Sequence, residues 1–248
     1  MAPGRISVWQ ARNMSARSVG RMAEKVGEIV RAGSDLVVPT TCGGCAEPGV
    51  GWCDACASCL ADDPVQHRPR VGVGVAVWAL GPYRGPRRAA LIAVKEHGRR
   101  DLNAPLGRAL AGTIGTLARW GELPPADTLT LIPAPTRRSS ARRRGGDPVT
   151  AMARVAATRL GPRVSVAPVL VTSGWARDSA GLDARRRVRN LTGAIAVRGS
   201  ASRLRREVSG TVVVVDDIVT TGATAAESVR VLARHGVDVG AVIVVAAA

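Results

Sequence analysis

The sequence predicts an α/β protein in which helices flank a parallel sheet, with a small cysteine-rich module on its N-terminal side. In the C-terminal half, runs of apolar, largely β-branched residues alternate with segments of helical periodicity. All five cysteines lie within eighteen residues of the N-terminal third. One strand is followed directly by acidic and hydroxyl residues, which predicts a ligand site at the carboxyl end of the sheet.

Four apolar runs in the C-terminal half have the length and composition of strands that are buried on both faces. They span residues 128–135, 164–171, 211–217 and 239–246. Segments with a spacing of apolar residues near 3.6 separate them at 148–160 and 223–235. Nearer the N-terminus we predict a strand over 71–80 and helices over 87–95 and 102–120. This alternation indicates βα units and therefore a parallel sheet.

Lys95 lies in the polar break between the two helices predicted nearer the N-terminus. It is one of only two lysines in the chain, which makes it conspicuous by composition alone. Because a lysine at the end of a helix is usually hydrated, we expect Lys95 to be solvated rather than catalytic.

The cysteines follow the pattern Cys42-x2-Cys45-x7-Cys53-x2-Cys56-x2-Cys59. Paired Cys-x2-Cys turns present four thiolates to a tetrahedral Zn²⁺ ion, so we predict a structural zinc site formed by Cys42, Cys45, Cys53 and Cys56. Cys59 is then the spare thiol or a substitute ligand. The alternative is a reduced or redox-active cluster that holds no metal.

The predicted organisation has three parts. Residues 1–35 form an N-terminal extension, either disordered or the product of a misassigned start, to which we assign no function. Residues 36–66 form the zinc module, the polar segment 61–70 is a linker, and residues 71–248 form the α/β domain.

Positive charge is concentrated in one part of the chain. The formal net charge is +16, and 33 of the 35 basic residues are arginine, a bias that a GC-rich genome produces. Residues 137–206 contain 17 arginines and three aspartates, hence a net charge of +14. Such a concentration of positive charge favours binding of an anionic partner, either a phosphate ester or a polyanion. The alternative is that these arginines form a solvated surface with no partner.

Neither a membrane span nor a secretion signal is evident from the sequence. No apolar run approaches the roughly 18–20 residues that cross a bilayer, and the N-terminus lacks the apolar region of a signal peptide. We therefore expect a cytoplasmic protein without a membrane span.

The run VVVVDDIVTTGAT spans residues 212–224. It places Asp216 and Asp217 at the end of a predicted buried strand, and its last residues begin the last predicted helix. Hydroxyls and clustered N–H groups at a helix N-terminus suit a dianionic phosphate, and adjacent carboxylates suit sugar hydroxyls or Mg²⁺. The predicted phosphate-binding residues are Thr220, Thr221, Gly222, Ala223 and Thr224. Together these groups predict a site for a phosphorylated sugar.

This segment resembles the phosphoribosyl-pyrophosphate (PRPP) signature of type I phosphoribosyltransferases over thirteen contiguous positions. The resemblance implies a type I phosphoribosyltransferase-like sheet with a separate, variable hood. It also implies that Asp216 and Asp217 face the ribose 2′- and 3′-hydroxyls, and that residues 220–224 surround the 5′-phosphate. Mg²⁺ would accompany PRPP.

Over residues 36–246 the chain is similar to the ComF family, the competence-associated ComFC/GntX group. The similarity rests on the LVVP segment before the cysteines, the Lys95-x2-Gly98 element, the strand that ends in IPAP, and the late segment that contains Leu182, Arg186 and Asn190. It implies that Pro135 and Thr136 belong to the pyrophosphate loop. Residues 137–147 would form a flexible loop, and after Arg144-Gly145 the family's usual Phe-Asn-Gln is replaced by residues 146–148.

Two functions follow from these resemblances. In the first, the protein is a phosphoribosyltransferase in which Asp216, Asp217, Arg137 and Arg144 act on PRPP, the arginines by stabilising the leaving pyrophosphate. In the second, it is a factor for DNA uptake or repair that binds single-stranded DNA, works with a helicase partner and uses PRPP as a regulatory ligand. Because Trp175 is the only aromatic residue in the arginine-rich region, DNA contacts would be electrostatic.

Overall fold

The computed structural model of the protein describes residues 40–136, 146–172 and 193–248. The strands in these ranges are β1 (Val65–His67), β2 (Val77–Ala79), β3 (Leu129–Pro133), β4 (Val164–Val166), β5 (Leu170–Thr172), β6 (Ile195–Val197), β7 (Thr211–Val219) and β8 (Ala241–Ala247). The α-helices are α1 (Asp54–Leu60), α2 (Gly85–Glu96), α3 (Asn103–Arg119), α4 (Pro148–Leu160), α5 (Ala201–Glu207) and α6 (Ala223–Arg234). A 3-10 helix, Arg100–Leu102, precedes α3.

Six strands form one sheet in the order β1-β2-β8-β7-β3-β4. Strand β1 runs antiparallel to β2, and the other neighbours in the sheet pair in parallel. Strands β5 and β6 form a separate antiparallel ribbon. The predicted mixed α/β fold with a mostly parallel sheet is confirmed.

The sheet is buried on both faces because alternate residues of its central strands join different apolar clusters. In β7, Val213 and Val215 pack with side chains from α2, α3 and α4, whereas Val212 and Val214 pack with α5 and α6. Side chains of a strand alternate between the two faces, so a continuous run of valines fits a strand that is covered twice. The four helices predicted from apolar spacing are present with ends within two residues of their predicted positions.

Three predictions for the strands and the linker were wrong in detail. The run 164–171 is divided between β4 and β5, because Pro168 has no N–H group to continue a ladder. The run 71–80 contains only the short strand β2. The supposed linker 61–70 contains β1, which pairs with β2 at the edge of the sheet.

None of the helices in the described ranges combines the length and the apolar character that crossing a membrane requires.

Candidate functional site

Strands β3 and β7 lie side by side at the point where the chain changes direction across the sheet. From β3 the chain continues through α4 to β4 on one side, whereas from β7 it continues through α6 to β8 on the other. Pro133 pairs with Val215, and the Ala134 N–H donates to the Val215 carbonyl at 2.8 Å. In open α/β sheets, ligands bind outside the carboxyl ends of strands at such a point.

The two predicted acids lie within the last four residues of β7, which extends to Val219. Asp216 pairs with Val244 of β8 and is partly buried. Because adjacent residues of a strand point to opposite faces, Asp217 lies on the α2 side of the sheet with Val215, and Asp216 on the α6 side. The acid pair therefore presents one carboxyl group to each side of the strand end.

Lys95, in the last turn of α2, forms an ion pair with one of these acids. Its Nζ atom lies 2.8 Å from Oδ1 of Asp217, and the two side chains are 28% and 14% exposed. The prediction that Lys95 is solvated was therefore wrong. Lys95 is a site residue that sequence reasoning did not select, although its rarity in this chain was an available signal.

Asp216 lies in surroundings that favour its protonated form. Burial raises its pKa to about 8, and the negative charge of Asp217 acts in the same direction. The Asp217 N–H donates to Asp216 Oδ1 at 2.8 Å, which opposes this shift, as does the charge of Lys95. Near neutral pH, Asp216 can thus donate a hydrogen bond, whereas the Asp217 carboxylate is paired with the Lys95 ammonium.

The predicted phosphate-binding residues connect β7 to the N-terminus of α6. Gly222 is the N-cap residue with φ of 84°, and the Thr221 hydroxyl accepts a 3.4 Å hydrogen bond from the Ala223 N–H. The first N–H groups of a helix lack intrahelical acceptors and lie at the positive end of its dipole. Here they adjoin threonine hydroxyls, so the turn is suited to an anion.

The segment before β2 packs against this turn. The Val71 N–H donates to the Thr221 carbonyl at 2.9 Å. A Cβ atom at Gly222 would lie 2.5 Å from the Cβ of Pro69. Only glycine fits here, because the backbone is left-handed and the neighbouring chain is in close contact.

Thr136 and Asp147 lie on either side of the segment 137–145 and contact each other. The Thr136 hydroxyl donates to Asp147 Oδ1 at 2.7 Å. Asp147 is also the N-cap of α4, because its carboxylate accepts from the Val149 N–H at 3.2 Å and from the N–H and hydroxyl of Thr150. Sequence reasoning missed this role, which the Asp147-Pro148 pair indicates, since proline favours the first position of a helix.

A cavity of about 400 Å³ lies beside this contact at the carboxyl end of β3. Pro135, Thr136 and Asp147 form part of its wall. Arg154 and Arg198 also line it and make its surroundings basic. The predicted residues Arg137 and Arg144 lie outside the described residues, as do Arg186 and Asn190 of the late segment.

The four predicted zinc ligands lie together in the N-terminal part of the structure. The Sγ atoms of Cys42, Cys45, Cys53 and Cys56 lie within 4.8 Å of one another, and two of the separations are 3.7 and 3.6 Å. Four sulfurs bound tetrahedrally at the usual Zn–S distance of about 2.3 Å are about 3.8 Å apart. The cluster is therefore consistent with a structural metal such as zinc. Cys59 is not part of this group.

Backbone groups around the cluster stabilise a thiolate at Cys42. The N–H groups of Gly44 and Cys53 both lie 3.4 Å from its Sγ atom. Burial opposes ionisation, but hydrogen bonds from backbone N–H groups outweigh it and lower the pKa of Cys42 to about 6. Because metals bind the deprotonated thiol, this arrangement prepares Cys42 as a ligand, whereas burial and the neighbouring cysteines raise the pKa of Cys56.

The fold and its sites define a mixed α/β protein with a mostly parallel sheet and an N-terminal cluster of four cysteines. No protein-family model matches the chain, and no curated protein is significantly similar to it.

Proposed function

We propose that the protein is a PRPP-binding phosphoribosyltransferase of the ComF type, which transfers phosphoribose between pyrophosphate and a nitrogenous acceptor. The observation that supports this proposal is the pairing of β3 with β7. It brings Pro135 and Thr136 next to Asp216, Asp217 and the turn 220–224 at the carboxyl edge of the sheet. Groups suited to pyrophosphate, ribose and a 5′-phosphate thus adjoin one another.

The 5′-phosphate would bind at the turn between β7 and α6. The hydroxyls of Thr220, Thr221 and Thr224 and the N–H groups of Gly222 and Ala223 supply donors, and the α6 dipole favours the negative charge.

The ribose would lie over the end of β7. Asp216 and Asp217 are suited to its 2′- and 3′-hydroxyls, and the raised pKa of Asp216 lets that group act as a hydrogen-bond donor. Mg²⁺ would neutralise charge on the pyrophosphate and contact the ribose through water or its hydroxyls. Lys95 keeps the Asp217 carboxylate in a fixed orientation.

The pyrophosphate would lie at the carboxyl end of β3, where the backbone of Pro135 and Thr136 meets a basic cavity. In the reaction, the C1–O bond to pyrophosphate breaks and the oxygen retains the electron pair. A C1–N bond forms to the acceptor, which loses a proton to water. Because the transition state is cationic at C1, the protein mainly has to orient the ribose and stabilise the leaving group, a role we assign to Arg137 and Arg144.

Calorimetric titration with Mg²⁺–PRPP tests this proposal. We expect saturable binding by the wild type and a loss of at least about tenfold in affinity for Asp216→Asn/Asp217→Asn, since each acid would bind a ribose hydroxyl. The matched control is Asp238→Asn, an exposed acid just before β8, whose affinity should be unchanged. No binding by the wild type, or equal affinity for the double variant, would contradict the proposal.

A second candidate function is binding of single-stranded DNA, alone or with a helicase partner. The observation that favours it is the exposed row of Arg203, Arg205 and Arg206 on α5, where Glu207 is the only acid. We expect gel-shift affinity to fall steeply with salt and to be lost on changing the three arginines at 142–144 to alanine, while PRPP affinity is retained. No gel shift with single-stranded DNA at low salt, or an affinity that does not change with salt, would exclude this function.

A further inference from the structure

Helix α2 connects the cysteine module to the acid pair. Its last turn carries Lys95, whose Nζ contacts Asp217. Its first turn carries Arg87, which is 7% exposed and donates to the Cys59 carbonyl and, at 2.7 Å, to Asp62. One helix therefore contacts the module at one end and the candidate site at the other.

The chain just after α2 is attached to the module as well. The guanidinium of Arg99 donates to the Thr41 carbonyl at 3.0 Å and to the Gly51 carbonyl at 3.3 Å. Asp101 holds the same guanidinium through two hydrogen bonds of 2.9 and 2.7 Å. Leu102 is fully buried in the adjoining core. Both ends of α2 are thus fixed by polar contacts to the module.

The groups that α2 and its flanks contact are close to the cysteine cluster in sequence. Thr41 precedes Cys42, and Gly51 precedes Cys53 by two residues. A Cβ atom at Gly43 would lie 2.5 Å from Leu102, so the backbone between the first two ligands packs directly on the segment after α2. Fixing the four thiolates therefore fixes the Thr41 and Gly51 carbonyls, which hold Arg99 just after α2.

We infer that the contacts of the cysteine module with α2 and Arg99, which we call the brace, fix the position of α2. They thereby hold Lys95 on Asp217, so that Lys95 is a positioning residue for the acid pair. The role of that pair in binding PRPP rests on the proposed function. Metal binding by the module then determines the position of α2 and so the geometry of the Asp217 carboxylate, although none of the four cysteines contacts that carboxylate.

Lysine-selective NMR tests the brace without any ligand for the acid pair. The chain contains only Lys25 and Lys95, so zinc-loaded full-length protein labelled with ¹³C at the lysine Cε atoms gives two signals, which Lys25→Arg assigns. We expect Asp217→Asn to shift the Lys95 signal, and Arg99→Gln to shift it in the same direction. The control is Arg163→Gln, which removes an arginine 4.0 Å from Asp127, and should leave the signal unchanged.

A Lys95 signal that Asp217→Asn shifts but Arg99→Gln does not, in protein folded by circular dichroism, would overturn the brace. A signal that Asp217→Asn leaves unchanged would overturn the ion pair itself. If Arg99→Gln does not fold, Asp101→Asn replaces it as the test, because it removes only the acid that holds Arg99. An unchanged Lys95 signal in folded Asp101→Asn would then overturn the brace. Removal of zinc by a chelator should shift the signal as Arg99→Gln does, and an unchanged signal in folded, zinc-free protein would also overturn the brace.

Calorimetry with Mg²⁺–PRPP then tests whether Lys95 positions the acid pair or only stabilises the fold. We expect Lys95→Met to weaken Mg²⁺–PRPP binding by about tenfold and Lys95→Arg to restore most of the loss, because arginine can donate to the same carboxylate. Equal affinities for Lys95→Met and the wild type would overturn the positioning role. Absence of PRPP binding by the wild type would defeat the proposed function and leave the NMR result on the brace unaffected.

Discussion

The hydroxyl of Thr136 donates a 2.7 Å hydrogen bond to Asp147 and so joins the two ends of the segment 137–145. The same carboxylate accepts from the first turn of α4. One side chain therefore caps a helix and contacts the residue on the other side of that segment, at the edge of the sheet where the candidate site lies.

We expect Asp147→Ala to lower the free energy of unfolding by about 1–2 kcal/mol, because it removes both the cap and the link. Thr136→Val should cost about 1 kcal/mol or less, since it removes the link and keeps the cap. Urea unfolding measures both values. Equal losses for the two variants would contradict the capping role of Asp147.

The raised pKa of Asp216 predicts a pH-dependent stability. The folded protein retains a proton at Asp216 that the unfolded chain releases, so this group stabilises the fold at low pH. The contribution is lost as pH rises from about 4, the usual pKa of the group, to about 8.

Asp216→Asn removes this dependence. As the pH rises from 5 to 9, the wild type should therefore lose on the order of 4 kcal/mol in free energy of unfolding relative to the variant. Urea unfolding at the two pH values provides the measurement, with Asp238→Asn as the exposed control. If the difference between Asp216→Asn and the wild type is the same at both pH values, the pKa of Asp216 is not raised.

Gly222 combines a left-handed backbone with a close neighbour, so its replacement has two costs. We expect Gly222→Ala to destabilise the protein by about 2 kcal/mol or more and to abolish PRPP binding, because the turn must move away from Pro69. Gly236→Ala is the matched control, since its φ is 73° and a Cβ atom there has ordinary contacts. It should cost about 1 kcal/mol and leave binding unchanged.

The cysteine cluster predicts a defined metal content. Purified protein should contain about one zinc per chain, and Cys42→Ser should lose it and unfold the module, because a module this small depends on its metal. Cys59→Ser should retain the zinc, since Cys59 lies outside the cluster. Elemental analysis of the three proteins checks this, and metal-free wild-type protein that remains folded would contradict it.

The strands and helices that the sequence predicted well are those marked by an uninterrupted apolar run or by proline and glycine at their ends. Strand β7 is a run of valines buried on both faces, and α4 begins at a proline and ends before a glycine, so their limits follow from local chemistry. The strand predicted over 71–80 was largely wrong because residues near Val71 bond to the turn at Thr221, a contact that no local pattern reveals.

The candidate site was predictable only where its residues are neighbours in the chain. The cysteine cluster and the run from Asp216 to Thr224 are contiguous motifs, so their residue types alone indicated a metal and an anion. The ion pair between Lys95 and Asp217 joins residues 122 positions apart, and it depends on how α2 packs on the sheet. Such a contact follows from tertiary structure, and composition could only draw attention to the lysine.

The central claim is that a phosphorylated sugar binds at the carboxyl ends of β3 and β7. Mapping amide chemical-shift changes in the zinc-loaded, ¹⁵N-labelled protein on addition of Mg²⁺–PRPP tests it most directly. We predict that the largest changes occur at the amides of Thr221 to Thr224 and of Ala134 and Thr136, with little change in the cysteine module. Saturable binding that leaves these amides unperturbed, or no change at any amide, would contradict the claim.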